Sequence, residues 1–395
     1  MRRVLIVSCV FPPEPVVSAQ LSYDIAHYIH KIGGKVLVLR PRPSRPLNYV
    51  FSEERGQLPF GQVTLNSYVC PDSRVSGRLR ESISFGKKTY EYIKHYYSEI
   101  DVIYANTWPL FAQLYLALAA KKYGIPYFIH VQDIYPESFC HKVQKFFGRV
   151  LYGFLAPIDR YVLRNAKGVF AISPSMKLYL SRTRHIDLER ITLVRNWQDD
   201  NAYIDAFSPI DQAYHKVNVM YLGSINPSAN VSSIIRAISY LDSKKYQLSI
   251  IGDGPEKTHC QELARDLGLN VVFDSIMPDN VARKQSEAVI LVLSLKKGVA
   301  LTATPSKLTA YMLSGRPIIA SVDLDSDCAG IIREADCGVV VEPENEHALS
   351  AAIEKLAESS PSILNKMGEA AYNYAIKHLS RDCNMKILVD QLLNG

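Results

Sequence analysis

Two carboxylates, an imidazole and an amide crowd one short run of the chain: His130-Val131-Gln132-Asp133-Ile134-Tyr135-Pro136-Glu137-Ser138. A carboxylate held beside a hydroxyl can orient it, or take its proton as the oxygen attacks. Asp133 and Glu137 are therefore candidate catalytic groups, with His130 and Gln132 as candidate contacts to a hydroxylated acceptor. A strand-end His is more often hydrogen-bonded structure than a catalyst, which leaves the carboxylates as the stronger pair. A second run, Thr304 to Pro317, reads as a short loop, a helix capped by Ser306, a stop at Gly315 and a strand from Pro317. Backbone amides at that helix start, joined by the Lys307 ammonium, would seat a diphosphate. Ser306, Lys307 and Leu308 are the candidates there; the plainer reading is a capped helix with a surface lysine. A third run, Ile250-Ile251-Gly252-Asp253-Gly254-Pro255-Glu256, follows a strand and opens a helix, and its glycines allow the sharp turn that presents amides to an anion. The Pro-rich loop Phe11 to Ser18 ends on Ser18, a candidate acceptor contact.

The elements that position these runs alternate between strand and helix. Val4 to Val7 is a buried strand, Ala19 to Ile32 carries apolar residues at helical spacing, and Val36 to Leu39 is the next strand. That βαβ unit predicts a parallel sheet. Strands at Val102–Ala105, Tyr127–Val131, Val169–Ile172 and Ile191–Val194 continue it. A second series starts near Val217, with strands at Val219–Leu222, Leu248–Ile251, Val271–Phe273, Val289–Leu293, Pro317–Ser321 and Gly338–Val341. The polar segment from Trp197 to Lys216 reads as a linker. The expectation is an α/β protein of two Rossmann-like, doubly wound parallel-sheet domains facing across a cleft. They would span residues 1–200 and 217–378, with a C-terminal helix over 379–395 returning to the first. Ligands of such sheets bind beyond the carboxyl ends of the strands, where all the runs above fall.

Composition excludes several classes. Of the 395 residues, 48% are hydrophobic and 21% charged, as in ordinary globular chains and unlike disordered ones. No apolar run approaches the ~20 residues of a membrane-spanning helix. Val4 to Phe11 is short and runs into Pro12-Pro13, so no secretory signal is expected. The seven cysteines show no CxxC spacing, which argues for reduced thiols in a cytosol and against a zinc site. Residues 1–200 hold 27 Lys and Arg against 16 Asp and Glu, a net of +11, while the remainder carries −5. The N-terminal half is thus the one suited to an anionic surface or substrate. No helix has the dense basic stripe of a nucleic-acid reader. Two aromatic, basic segments, Arg78 to Tyr97 and Lys142 to Leu155, have the composition of membrane-surface helices; the plainer reading is two domain helices with core faces.

The Pro-rich loop, the Gln132 to Ser138 run, Gly252-Asp253-Gly254-Pro255 and, above all, Pro305-Ser306-Lys307-Leu308 through Gly315-Arg316-Pro317 resemble bacterial glycosyltransferases of the GT-B fold, family 4 type. The resemblance covers the whole chain. Phe11 to Gln20, Ser44-Arg45-Pro46 and Ser138 resemble the L-fucosamine-type transferases of O-antigen and capsule assembly. The resemblance implies a retaining enzyme with a nucleotide sugar in its C-terminal domain and the acceptor in its N-terminal domain, and no metal or other cofactor. It implies donor contacts at Gly223, Gly254, Ser275, Ser306, Lys307 and Leu308, and acceptor contacts at Ser18, His130 and Gln132. The chain also departs from the family. Ser224 and Ala229 stand where members carry an Arg and a Lys for the diphosphate, Thr302 and Ala310 where they carry two glutamates, and Gln132 where some carry a catalytic histidine. Lys307, with Lys296 or Lys297 behind it, is the cation expected to replace the missing pair.

The implied partners are a nucleotide sugar, most simply a UDP-N-acetyl-aminosugar, and a polyprenyl-diphosphate-linked saccharide, handled by a cytoplasmic enzyme in peripheral contact with the anionic inner leaflet. Nucleic acid is not expected. Two alternatives share the fold: a UDP-sugar epimerase, which needs no lipid acceptor, and an inactive scaffold subunit, which the missing glutamates and cations would favour.

Overall fold

A computed structural model describes the chain apart from residues 1, 15, 46–50, 52–57, 72–73, 107–108, 141–144, 198–199, 207, 211–215, 276–279 and 301–305, and describes only the backbone of 17, 139, 145, 146, 202, 204, 205 and 306. Pro46, Lys142, Thr302, Thr304 and Pro305 therefore lie outside the described residues. The chain divides into unit 1, Met1–Asn196 with Met385–Gly395, and unit 2, Trp197–Asn384.

Unit 1 runs β1 (Arg3–Val7), α1 (Val17–Lys31), β2 (Lys35–Arg40), β3 (Gly61–Thr64), α2 (Val75–Tyr96), β4 (Val102–Asn106), α3 (Leu110–Tyr123), β5 (Tyr127–Val131), α4 (Glu137–Cys140), α5 (Lys145–Asn165), β6 (Gly168–Ala171), α6 (Pro174–Arg184) and β7 (Ile191–Leu193). Its sheet has the order β3-β2-β1-β4-β5-β6-β7, and every pairing is parallel. Strands buried on both faces need continuous apolar runs, and β4 and β5 are buried at every residue. β3 is the half-exposed edge. The order reverses between β1 and β4, which makes their carboxyl ends the switch point where such sheets bind ligands.

Unit 2 runs α7 (Asn201–Ala206), β8 (Val217–Leu222), α8 (Val231–Ile238), β9 (Tyr246–Ile251), α9 (Lys257–Asp266), β10 (Val271–Asp274), α10 (Val281–Ser286), β11 (Ile290–Ser294), α11 (Ser306–Leu313), β12 (Ile318–Ser321), α12 (Asp327–Glu334), β13 (Gly338–Val341), α13 (Glu346–Ala357) and α14 (Pro361–His378). α15 (Arg381–Asn394) follows, and its residues from Met385 onward count with unit 1. The sheet order is β10-β9-β8-β11-β12-β13, again all parallel, with its switch between β8 and β11. Apolar clusters cover both faces of this sheet. The stretch expected as a linker belongs to unit 2. The buried Arg316 holds it, donating to the Ser208 carbonyl at 2.6 Å and to the Ser286 carbonyl at 2.5 Å.

Candidate functional site

The carboxyl edge of unit 2 is built from two interlocked turns. Beyond β8, the Gly223 amide donates to the Ile251 carbonyl at 2.8 Å, and the Ile225 amide to the Asp253 carbonyl at 2.8 Å. The two βα turns thus lie backbone on backbone. A Cβ on Gly254, at φ 155°, would stand 2.2 Å from the Ile225 carbonyl oxygen, so only glycine closes this turn. Gly254 acts through its lack of a side chain. Ser275 is exposed just past β10, its amide donating to Asp274 Oδ1 at 2.8 Å. Ser224 is exposed and Ala229 buried, and neither supplies a cation.

Lys307 fills the space above Gly223. α11 begins at Ser306 itself rather than after it, which puts Lys307 in the first turn. Its ammonium donates to the Tyr221 hydroxyl and, at 3.2 Å, to the Ser224 carbonyl, and lies 4.5 Å from the centre of the Tyr221 ring. The Tyr221 hydroxyl donates in turn to the Ser224 carbonyl at 2.6 Å. One turn along α11, the Tyr311 hydroxyl accepts from the Leu222 amide at 2.8 Å and donates to the Leu222 carbonyl at 2.9 Å, which ties the helix to the end of β8. Burial pulls the Lys307 ammonium down to about 8. Among the described residues no carboxylate makes an ion pair with it. A desolvated cation in the first turn of a helix is suited to meeting an anion. The Leu308 side chain is buried in the core, so only its backbone is available to the site. Lys296 and Lys297 are exposed beyond β11.

The carboxyl edge of unit 1 brings two expected residues together. Ser18, in the first turn of α1, donates through Oγ to Gln132 Oε1 at 2.7 Å. Beneath them runs a buried polar chain. Ser22 Oγ donates to the Ser18 carbonyl at 2.9 Å and lies 3.0 Å from Ser8 Oγ, and Asn106 Nδ2 donates to Ser8 Oγ at 3.2 Å. Such networks hold strand ends rigidly when satisfied. Glu14, at the bend of the Pro-rich loop, accepts from the amides of Phe11 at 3.0 Å and of Ser44 and Arg45 at 2.9 Å each. Its buried carboxyl is raised above the ordinary range by desolvation, against those amides. Asp133 is exposed one residue beyond Gln132.

The two remaining expected residues at this edge are engaged within the fold. His130 is fully buried, with Nδ1 2.9 Å from the Tyr104 hydroxyl and Nε2 3.4 Å from the Val194 carbonyl. Burial pushes the ring down to about 4, so it is neutral and supports the strand from within. Glu137 is committed to Arg184, accepting at 2.6 Å and 2.8 Å, and to the Tyr179 hydroxyl at 2.7 Å. Arg184 also donates to the buried Asp159 at 2.6 Å. Burial lifts the Glu137 carboxyl, but Arg184 and Tyr179 outweigh it and hold it below the usual range. Glu137 thus anchors α4 to α6. Tyr221, Tyr311 and Arg184 were missed from sequence. The spacing of Lys307 and Tyr311, one helical turn apart, was the available signal.

Residues 19–201 match the family described as Glycosyltransferase Family 4, and residues 216–359 match Glycosyl transferases group 1. The chain is a family 4-type glycosyltransferase of the GT-B fold. The glycosyltransferase is similar to Anabaena HepE, solved in complex with UDP, at 14% identity and TM-score 0.70 over 100% of both chains. It is similar to WaaG, a glycosyltransferase involved in lipopolysaccharide biosynthesis, at 16% identity and TM-score 0.66 over 99% of this chain and 100% of that one. An exopolysaccharide phosphotransferase of Streptomyces coelicolor is 27% identical over 175 residues, 44% of this chain. The chain spans only 18% of the length of that curated relative.

Proposed function

We propose that this glycosyltransferase moves an N-acetyl-aminosugar from UDP to a hydroxyl of a polyprenyl-diphosphate-linked saccharide, with retention, in surface polysaccharide assembly. The observation that carries the donor half is the Lys307 ammonium, desolvated beside Gly223 at the start of α11, with no carboxylate paired to it among the described residues. As the bond between the anomeric carbon and the diphosphate oxygen breaks, charge gathers on the departing UDP, and a fixed cation with helix-start amides stabilises it. The acceptor oxygen forms the new bond, and Asp133 orients that hydroxyl and receives its proton. Ser18 and Gln132 bind the acceptor saccharide. UDP is favoured because HepE was solved with it. A diphosphate-bearing acceptor agrees with the excess of Lys and Arg in residues 1–200, 27 against 16 acidic residues. Such an acceptor places the enzyme at the surface of an anionic leaflet.

A melting-temperature screen against UDP, GDP and dTDP at millimolar concentration tests the donor half, since ligand binding stabilises the folded state by mass action. UDP should raise the melting temperature most, and Lys307→Ala should abolish the rise. A second reading, an inactive scaffold subunit, is favoured by Ala310, which is buried where the family carries its ribose-binding glutamate. No shift with any nucleotide would overturn the transferase reading in favour of the scaffold.

A further inference from the structure

The two aromatic, basic segments of unit 1 part company in the structure. In α2, Phe85 and Ile93 are buried, so that segment is a domain helix with a core face. In α5, Phe147 and Phe154 stay exposed, while Tyr152 and Tyr161 are half-buried. Phe147 is 61% exposed, Val150 48% and Phe154 73%. Their spacing, i, i+3 and i+7, aligns them on one face. Further along the same face, Pro157, Arg160, Tyr161, Arg164 and Asn165 line an open groove of about 430 Å³. Arg160 Nε is buried without a hydrogen-bond partner, while the same guanidinium donates to the Thr183 carbonyl at 3.4 Å, and Lys121 Nζ lies 5.6 Å from the centre of the Tyr161 ring. The helix has one carboxylate, Asp159, which is buried against Arg184. Its outward face is therefore apolar and aromatic, with cations and no exposed acid.

We propose that this face of α5 is the surface by which the enzyme docks on an anionic lipid bilayer. Phe147, Val150 and Phe154 enter the boundary between headgroups and acyl chains, where aromatic rings are stable. Arg160 and Arg164 keep their guanidinium groups at the level of the lipid phosphates, the groove receiving one phosphate between them. Tyr152, on the same helix, lies 3.4 Å from Glu137, so the apolar half of α5 flanks the carboxyl edge that carries Gln132 and Asp133. Docking through α5 thus holds the acceptor edge beside the bilayer. The purpose of this surface rests on the lipid-linked acceptor proposed above; its existence does not.

Vesicle flotation of the full chain tests it. The vesicles are phosphatidylcholine alone, or with about one third phosphatidylglycerol. The chain should float with the anionic vesicles and stay behind with the neutral ones. Phe147→Ser with Phe154→Ser should weaken binding roughly tenfold or more. Arg160→Gln with Arg164→Gln should weaken it roughly thirtyfold and remove the preference for anionic lipid. Neither pair should change the UDP-dependent rise in melting temperature, which also reports that the variants fold. The proposal is overturned if the wild-type chain ignores anionic vesicles, or if both variants bind like the wild type. It is equally overturned if sedimentation velocity shows a dimer that the Phe147/Phe154 variant dissolves, because α5 would then be a contact between copies. Vesicle binding without a UDP response would sink the donor reading and leave this surface standing.

Discussion

A Cβ on Gly223 would stand 2.2 Å from Lys307 Cε and 2.8 Å from its Nζ. The glycine, at φ 146°, and the lysine, 84 residues on, are therefore one device: the turn leaves room, and the side chain occupies it. Gly223→Ala should displace the ammonium and strain the backbone, at about 1–3 kcal/mol of stability. Chemical denaturation should show that loss, and titration with UDP should show weaker binding. An alanine variant as stable and as UDP-avid as the wild type would separate the two residues.

Lys307 should also make donor binding depend on pH. Its folded value, about 8, lies below its ordinary value of 10.5 because of burial. Below 8 the ammonium is charged and can meet a diphosphate; above 8 it is progressively neutral. UDP affinity should hold up to that pH and then fall, by as much as roughly tenfold per unit where the proton must be supplied on binding. Fold stability moves the other way. The unfolded chain holds the lysine proton between 8 and 10.5 and the folded chain does not, so the penalty of burying this charge is relieved as pH rises through that window. Calorimetric titration of UDP at a series of pH values checks the first trend. In Lys307→Met the contribution of this group should vanish from both.

The strands were legible because parallel sheets demand continuous apolar runs, and Val4 to Val7 or Tyr127 to Val131 offer little else. β3 was not, since Gly61-Gln62-Val63-Thr64 is a half-exposed edge with one apolar residue. The stretch from Trp197 looked like a linker because its anchors lie far along the chain, with Arg316 and the Asn365 side chain, which accepts from the Ile210 amide at 2.7 Å. At the site, turn glycines and a helix-start lysine carry their own local signals. Tyr221 carries none, and Tyr311 only its one-turn spacing from Lys307, because each sits at a position of strand or helix that any large apolar residue could fill. The ion pair of Glu137 is equally silent: nothing beside it in sequence announces Arg184, 47 residues away. For His130, burial and not its sequence neighbours decides whether a ring nitrogen meets solvent.

Arg184 holds Glu137 and Asp159 together with side-chain exposures of 1%, 14% and 4% for the three residues. Removing the shared cation leaves two buried carboxylates without their counter-charge. Arg184→Met should therefore destabilise the fold by about 3–5 kcal/mol. Glu137→Gln should be milder, since Asp159 still pairs with Arg184 and the amide oxygen still accepts from Tyr179. Its melting temperature should drop while kcat, measured well below that temperature, changes little. A collapse of kcat at full stability would return Glu137 to the catalytic centre.

Asp133 is the opposite case, a carboxylate beside a rigid strand end that gives the fold nothing. The strand end is fixed by other groups: the hydrogen bond from Ser18 to Gln132 at 2.7 Å, and the buried chain through Ser22, Ser8 and Asn106. Asp133→Asn preserves shape and removes only the charge and the basicity. The melting temperature and the UDP response should stay as in the wild type, and kcat should fall by roughly 10² to 10⁴ if the carboxylate takes the acceptor proton. Ser18→Ala should instead raise KM for the acceptor with a smaller effect on kcat, because it loosens a binding contact and not the base. Steady-state rates with a lipid-linked saccharide separate the two patterns. Equal KM effects from both changes would reassign Asp133 to acceptor binding, and the departing diphosphate would then have to take the proton itself.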